Sequence, residues 1–182
     1  HIGKNITRGL GAGMNPDLGR QAAEESKREI DELVRGADMV FITCGFGGGT
    51  GTGGAPIVAE LAKSQGALAV AVVTKPFNFE GETRKKIAEE GLARLRKTVD
   101  AMIVIPNDRI LNIVERDTPL LSAFAMCDEV LRQAVEGIAD LIITPGIVNV
   151  DFADVRAVLA NSGSAIIGIG IASGKNRAQE AA

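Results

Sequence analysis

Three stretches of the chain are apolar almost without interruption: Met39-Val40-Phe41-Ile42-Thr43-Cys44, Leu68-Ala69-Val70-Ala71-Val72-Val73 and Ala101-Met102-Ile103-Val104-Ile105. None alternates polar with apolar, as a strand with one wet face would. Each therefore predicts a strand of a parallel sheet covered on both faces. Between them the period lengthens to that of a helix. Residues 16–35 place Ala22, Ala23, Ile30, Leu33 and Val34 at helical spacing, with Glu24 and Arg28 one turn apart. A second helix is expected over about 55–65, after a glycine run, and a third over about 82–97 with Ile87, Leu92 and Leu95 inward. Strand, helix, strand, helix, strand predicts an α/β fold, a Rossmann-like doubly wound parallel sheet.

A longer helix follows. Thr118 is placed to cap it and Pro119 suits its first turn. It is expected to run to Ile142, about 24 residues or roughly 36 Å. Leu121, Phe124, Leu131, Val135, Ile138 and Ile142 form its apolar stripe, and Asp128 falls on the same stripe. An acid there either sits at an exposed end of the buried face or binds something. Thr144-Pro145-Gly146 reads as a turn, and a short helix is expected over about 151–161, stopped by Gly163. Ala165-Ile166-Ile167-Gly168-Ile169 reads as a strand of a second unit, and another helix opens at Asn176. Residues 1–142 thus form one expected domain, and 143–182 the start of an α+β second one.

Composition narrows the partners. The 182 residues are 46% hydrophobic, which suits one globular domain with a stub of another. The net charge is −3 with cations spread throughout, so nucleic acid is not an expected partner. No apolar run reaches the roughly 18 residues that span a bilayer, so membrane insertion is not expected. Cys44 and Cys127 lie in apolar segments and read as buried free thiols of a cytoplasmic protein, not as a disulfide or metal site. The chain opens at His1 just ahead of a glycine-rich loop and closes inside an apparent helix, as an internal piece of a longer protein would.

The strongest chemical signal is Gly45-Phe46-Gly47-Gly48-Gly49-Thr50-Gly51-Thr52-Gly53-Gly54, between a strand and a helix. Seven glycines in ten positions let backbone N–H groups approach an anion with no Cβ in the way. The helix N-terminus adds partial positive charge, and the Thr50 and Thr52 hydroxyls can donate. Together these read as a phosphate cradle rather than a flexible surface loop. It is not a Walker loop, because no Lys-Ser or Lys-Thr follows. Gly49, Gly51 and Gly54 match a dinucleotide pattern, but the next strand ends Thr74-Lys75-Pro76, without the acid that holds a ribose in such sites. A second loop, Gly9-Leu10-Gly11-Ala12-Gly13-Met14-Asn15, also precedes a helix, so a polyphosphate held from two sides is expected.

Gly47 to Gly53 reads GGGTGTG, followed by TKPFNFEG at 74–81, IPND at 105–108 and NVDFADVR at 149–156. In order and spacing these resemble the tubulin/FtsZ superfamily, and the last stretch resembles its FtsZ branch, the bacterial cell-division proteins. The resemblance covers nearly the whole chain. It implies GTP or GDP as ligand, Mg²⁺ accompanying the nucleotide, and head-to-tail filaments of a cytoplasmic protein at the mid-cell division site. Other division proteins would bind through regions outside this chain. It implies that Gly11, Ala12, Gly13, Met14 and Asn15, with Gly47, Gly48, Gly49, Thr50, Gly51 and Thr52, hold phosphates. Thr74, Pro76, Glu80 and Arg84 would flank ribose and phosphates, and Asn107, Phe124 and Asp128 would form the guanine pocket.

On their own, Glu80 and Arg84 could be a surface pair, Asp128 a solvated acid and Phe124 a core residue. Asp151 and Asp154 sit three apart near a helix start and so share a face. They lie a long helix away from the glycine loops, roughly 36 Å. By themselves they read equally as a capping acid and a solvated neighbour. The resemblance implies that they, with Asn149, act on the GTP of the next subunit. It also implies earlier strands and a further glycine loop ahead of His1, so weak GTP binding and poor solubility are expected of these residues alone. The rival readings are a non-catalytic relative or piece that caps filaments, and an NAD-type oxidoreductase.

Overall fold

The computed structural model describes residues 1–111, 118–144, 150–166, 170, 172–174 and 176–181. The expected α/β class holds, with three long parallel strands and one short one in the order β1-β2-β3-β4. These are β1 (Met39–Gly45), β2 (Leu68–Lys75), β3 (Ala101–Pro106) and β4 (Gly163–Ser164). β2 is buried along nearly its whole length, as an apolar run without alternation demands.

The first helical segment is two helices, not one: α1 (Pro16–Glu25) and α2 (Lys27–Val34). The break falls at Ser26, which is buried and leaves helical geometry at φ −93° and ψ 15°. Its hydroxyl accepts from Gly3 N at 3.1 Å, which anchors the chain's first residues there. Asn15 caps α1 by accepting from Asp17 N and Leu18 N, and Pro16 fills the first position.

α3 (Thr50–Ser64) starts five residues earlier than expected and takes half the glycine run into its first turns. Glycine disfavours helix by about 1 kcal/mol per residue, which hid this start. Tight packing offsets that cost: a Cβ on Gly53 would overlap Pro16 O of α1 and lie 2.6 Å from Arg20 N. α4 (Glu82–Leu95) follows a short 3₁₀ turn, Asn78–Glu80. α3 and α4 cover one face of the sheet through Ala55, Ala59, Ala88, Leu92 and Leu95.

After α5 (Asn107–Leu111), α6 (Leu120–Ile143) covers the other face. Thr118 does not cap it; Pro119 occupies the cap position and no side chain bonds the first N–H groups. The buried line is Ala123, Cys127, Ala134 and Ile138, and Leu121, expected inside, is 84% exposed. Ala123 and Cys127 pack on Phe77 and Ile110, while Ala134 and Ile138 pack on Leu68, Val70 and Val72. Leu131 and Val135 pack at the margin of that cluster as expected.

α7 (Phe152–Leu159) returns beneath the sheet, with Phe152 and Leu159 against the same cluster. Pairing of β4 begins at Gly163, ahead of the strand expected over 165–169, and is made to β3: Gly163 N donates to Asp100 O and Ala165 N to Met102 O. Of that expected strand, residues 167–169 lie outside the described residues. The last helix, α8, spans Arg177–Ala181. No helix among the described residues is long and apolar enough to cross a membrane.

Candidate functional site

The site forms where β1 and β2 finish. Phe46 N still donates to Thr74 O at 2.9 Å, and then the chain turns through Gly47 at φ +102°, open to glycine at little cost. Gly47 N donates to the Thr52 hydroxyl at 3.0 Å, and Thr52 is wholly buried, so it shapes the loop from behind. The two glycine loops bind each other directly. Gly49 N donates to Gly13 O at 2.6 Å, and Ala12 N donates to the exposed Thr50 hydroxyl at 3.3 Å. A Cβ on Gly49 would lie 2.6 Å from Ala12 O and 2.7 Å from Asn15 O. Gly51 passes as tightly over Gly45 O, at 2.8 Å from an added Cβ.

Beside these loops opens a cavity of about 480 Å³. Its walls include Gly48, Thr74, Pro76, Glu80, Arg84, Asn107, Phe124 and Asp128, eight of the residues expected at a nucleotide. Gly11 to Asn15 adjoin it through Gly49 and Thr50, while Gly47, Gly49, Gly51 and Thr52 build the loop behind. Glu80 is tied twice: one oxygen accepts from Phe77 N at 2.9 Å and the other from Arg84 Nη1 at 2.7 Å. The pair expected from spacing alone is therefore present, and it lies in the cavity wall. Phe77 is buried, stacks on Phe79 at 4.8 Å and meets the edge of Phe124 at 5.2 Å, which sets the Phe124 ring.

Asn107 is 6% exposed, and its Oδ1 has no hydrogen-bond partner among the described residues. A buried acceptor without a donor is costly unless a ligand supplies one. Six lining residues were not among the expected site residues: Thr43, Cys44, Gly45, Phe46, Cys127 and Leu131. Gly45 and Phe46 open the glycine run, while the other four come from a strand end and a helix face, where no local motif marks them. Burial pushes the Cys44 thiol up to about 12. The Cys127 thiol is also raised, first by burial and then by the Asp128 and Glu80 carboxylates.

Asp151 and Asp154 are not at this cavity. Asp151 caps α7 by accepting from Asp154 N at 2.8 Å, and both acids are exposed. α7 is moored where β1 and β2 begin, by Arg156 hydrogen bonds to Asp38 O and Gly66 O. Asn149 lies outside the described residues.

Residues 1–115 match the model of the tubulin/FtsZ family, GTPase domain. The chain belongs to that family. Among solved structures, it is 56% identical to FtsZ from M. jannaschii, determined as an empty dimer. The TM-score is 0.93, over 99% of this chain and 52% of that one. A W319Y mutant of M. jannaschii FtsZ matches at 56% identity and a TM-score of 0.92, over 99% of this chain and 54% of that one. The GDP-bound monomer of CetZ1 from Haloferax volcanii is 27% identical with a TM-score of 0.72, over 90% of this chain and 48% of that one. The chain thus spans about half the length of the tubulin/FtsZ structures it matches. The family match takes in both glycine loops, the Glu80–Arg84 pair and Asn107. Phe124 and Asp128 of α6 lie beyond it and fall within the structural matches.

Proposed function

We propose that these residues are the GTP-binding core of a GTPase that assembles head-to-tail, each subunit's hydrolysis being completed by acids of the next. The observation that carries the base assignment is the unpaired, buried Asn107 Oδ1 in a cavity shared with Phe124 and Asp128. Guanine brings an N1–H and an exocyclic amine to such acceptors, and adenine brings an acceptor where guanine has N1–H. Asp128 and Asn107 select guanine while Phe124 packs on the ring. Phosphates rest on the N–H groups of the paired glycine loops and on the start of α3, the end that favours negative charge. Glu80 and Arg84 hold the ribose and adjoining phosphate. Among the described residues no cluster of His, Cys, Asp or Glu is placed to hold a metal. Mg²⁺ belongs with the nucleotide's own oxygens.

Asp151, Asp154 and, by its place in the same motif, Asn149 serve the neighbouring subunit. Their separation from the cavity within one molecule supports this division of labour. They orient or activate the attacking water, which needs little else once phosphates and metal are in line. On this reading residues 1–142 are the nucleotide domain, and 143–182 carry the acidic loop and open a second domain. The filament would serve the division ring of a cytoplasmic protein, with other division proteins bound through further regions.

Two measurements on the full polypeptide carrying this sequence test the proposal. GTP and GDP should bind with at least a hundredfold preference over ATP. Hydrolysis per subunit should climb with protein concentration, because each site needs two chains. A rate per subunit that stays flat would remove the shared site. Filament shortening without hydrolysis would favour the capping role instead.

A further inference from the structure

Where β1 and β2 begin, one contact serves neither the phosphate loops nor the base pocket. Arg156 donates from a single nitrogen, Nη2, to two carbonyls, Asp38 O at 3.1 Å and Gly66 O at 3.0 Å. These partners are 118 and 90 residues away in sequence. The guanidinium lies 5.1 Å from the centre of the Phe152 ring, one turn earlier in α7. Asp38 O stands just ahead of β1 and also accepts from Leu68 N, at the start of β2. Gly66 follows the end of α3, whose last carbonyls favour a cation. A single charged side chain therefore ties α7 to the starts of two strands whose far ends, Gly45 and Thr74, reach the cavity.

α7 needs such a tie. It has eight residues, too few to hold its shape unaided, and Val155 is its one fully buried side chain. Asp151 and Asp154 lie at its first turn. Acids that must meet a phosphate on another molecule depend on that helix keeping its direction. A misplacement of about 1 Å is worth up to roughly 100-fold in rate.

We infer that Arg156 is a positioning residue for GTP hydrolysis. It fixes α7 to the sheet, so that Asp151 and Asp154 are presented to the next subunit in a set geometry. This rests on the reading of those acids given above, and it assigns Arg156 no contact with nucleotide. The ring of Phe152 keeps the guanidinium flat and aimed between the two carbonyls.

The test compares Arg156→Ala, Arg156→Lys, Asp154→Asn, the acid pair Asp151→Asn/Asp154→Asn and that pair combined with Arg156→Ala, each in the full polypeptide. GTP affinity is measured first, then hydrolysis at saturating GTP and at subunit concentrations where assembly no longer limits the rate. Arg156→Ala is expected to keep GTP affinity within about twofold and to lower kcat about tenfold or more. Arg156→Lys keeps the charge on a stem one atom shorter and should recover part of that loss. Adding Arg156→Ala to the acid pair should slow it no further, because Arg156 acts only through the two acids. An Arg156→Ala kcat within about twofold of the parent, with Asp154→Asn slow, overturns the inference and leaves the acids' role intact. A further loss when Arg156→Ala is added to the acid pair also overturns it. An Asp154→Asn rate equal to the parent's overturns the reading of the acids and the inference with it. If Arg156→Ala does not fold, Arg156→Gln carries the same comparison: a lowered kcat with GTP affinity kept supports the inference, and an unchanged kcat overturns it.

Discussion

Where β1 and β2 finish, the chain is held by backbone against backbone. Gly49 N donates to Gly13 O, and Gly53 of α3 lies against α1 with no room for a side chain. Where the same sheet begins, charged side chains do the holding. Arg156 bridges Asp38 O and Gly66 O, while Asp100 accepts from Ala69 N at 3.0 Å and pairs with Lys63 at 2.9 Å. The contrast follows from what each end must do. A cradle for anions needs bare N–H groups, so it excludes side chains and is damaged by adding atoms. The other end lies away from the cavity. Its charges are free to act as ties, and it is damaged by removing them.

The largest expected effect tests how closed the upper end is. Cys44 lies in the cavity wall with its thiol pushed up to about 12 by burial. An unfolded thiol titrates near 8.5, so at pH 8 the native thiolate fraction is smaller by roughly a thousandfold. Alkylation of Cys44 in the native protein should be slower than in urea by about that factor, read by mass spectrometry. Rapid native alkylation at pH 8 would mean the wall opens. Because the folded pKa is raised, the associated stability is complete below about pH 8.5 and declines as pH climbs from there towards 12.

Addition and removal are then compared directly. Gly53→Ala places a methyl group onto Pro16 O, which is backbone and has nowhere to go. It should cost ~3 kcal/mol, measured by urea unfolding, and loosen GTP binding as α1 and α3 separate. At the other end, Asp100→Ala leaves the buried Ala69 N–H without its acceptor and Lys63 without its partner. Lys63 is partly solvated, so a cost of ~2 kcal/mol is expected, with GTP affinity unchanged once the protein is folded. If Asp100→Ala weakened GTP binding in the folded protein, the two ends would not be independent.

This contrast also explains what could be read from the residues in order. The strands were plain because both their faces are buried, so Leu68 to Val73 needed no alternation to be recognised. The start of α3 was hidden because Gly51, Gly53 and Gly54 look like loop residues, and what favours helix there is tertiary fit: Gly51 against the end of β1 and Gly53 against α1. The stripe of α6 was misread only towards its start, where Ala123 and Cys127 pack on Phe77 and Ile110 and Leu121 stays in solvent, whereas Leu131, Val135 and Ile138 pack on the sheet side as expected. The glycine loops, Glu80 and Asn107 were anticipated because motifs mark them, Arg84 by its spacing from Glu80, and Asp128 because an acid on an apolar stripe stands out. Cys127 and Thr43 reach the same cavity only through tertiary packing. Arg156 stood in plain view within NVDFADVR, but its partners are carbonyls, which no residue type announces.

One position at the upper end should break the rule about removal. Asn107→Ala deletes a buried oxygen that has no partner among the described residues. Stability without nucleotide should stay within about 1 kcal/mol, while GTP affinity falls about tenfold as its donor loses an acceptor. A large fall in the nucleotide-free melting temperature would show that Asn107 serves the fold rather than the base.

The smallest effect separates tying from chemistry at Asp151. Its carboxylate caps α7 through Asp154 N, so Asp151→Ala should cost ~1 kcal/mol locally, seen as roughly fivefold faster hydrogen exchange at that amide. Asp151→Asn keeps an oxygen in the same place and should leave exchange near the parent rate. Hydrolysis should fall in both, because the amide restores the cap but not the negative charge offered to the neighbour's water. If Asp151→Asn hydrolysed GTP like the parent, Asp151 would be a cap and no more. The contrast between the two ends would then tighten, since Asp154 would be left as the acid of α7 that does chemistry in another subunit.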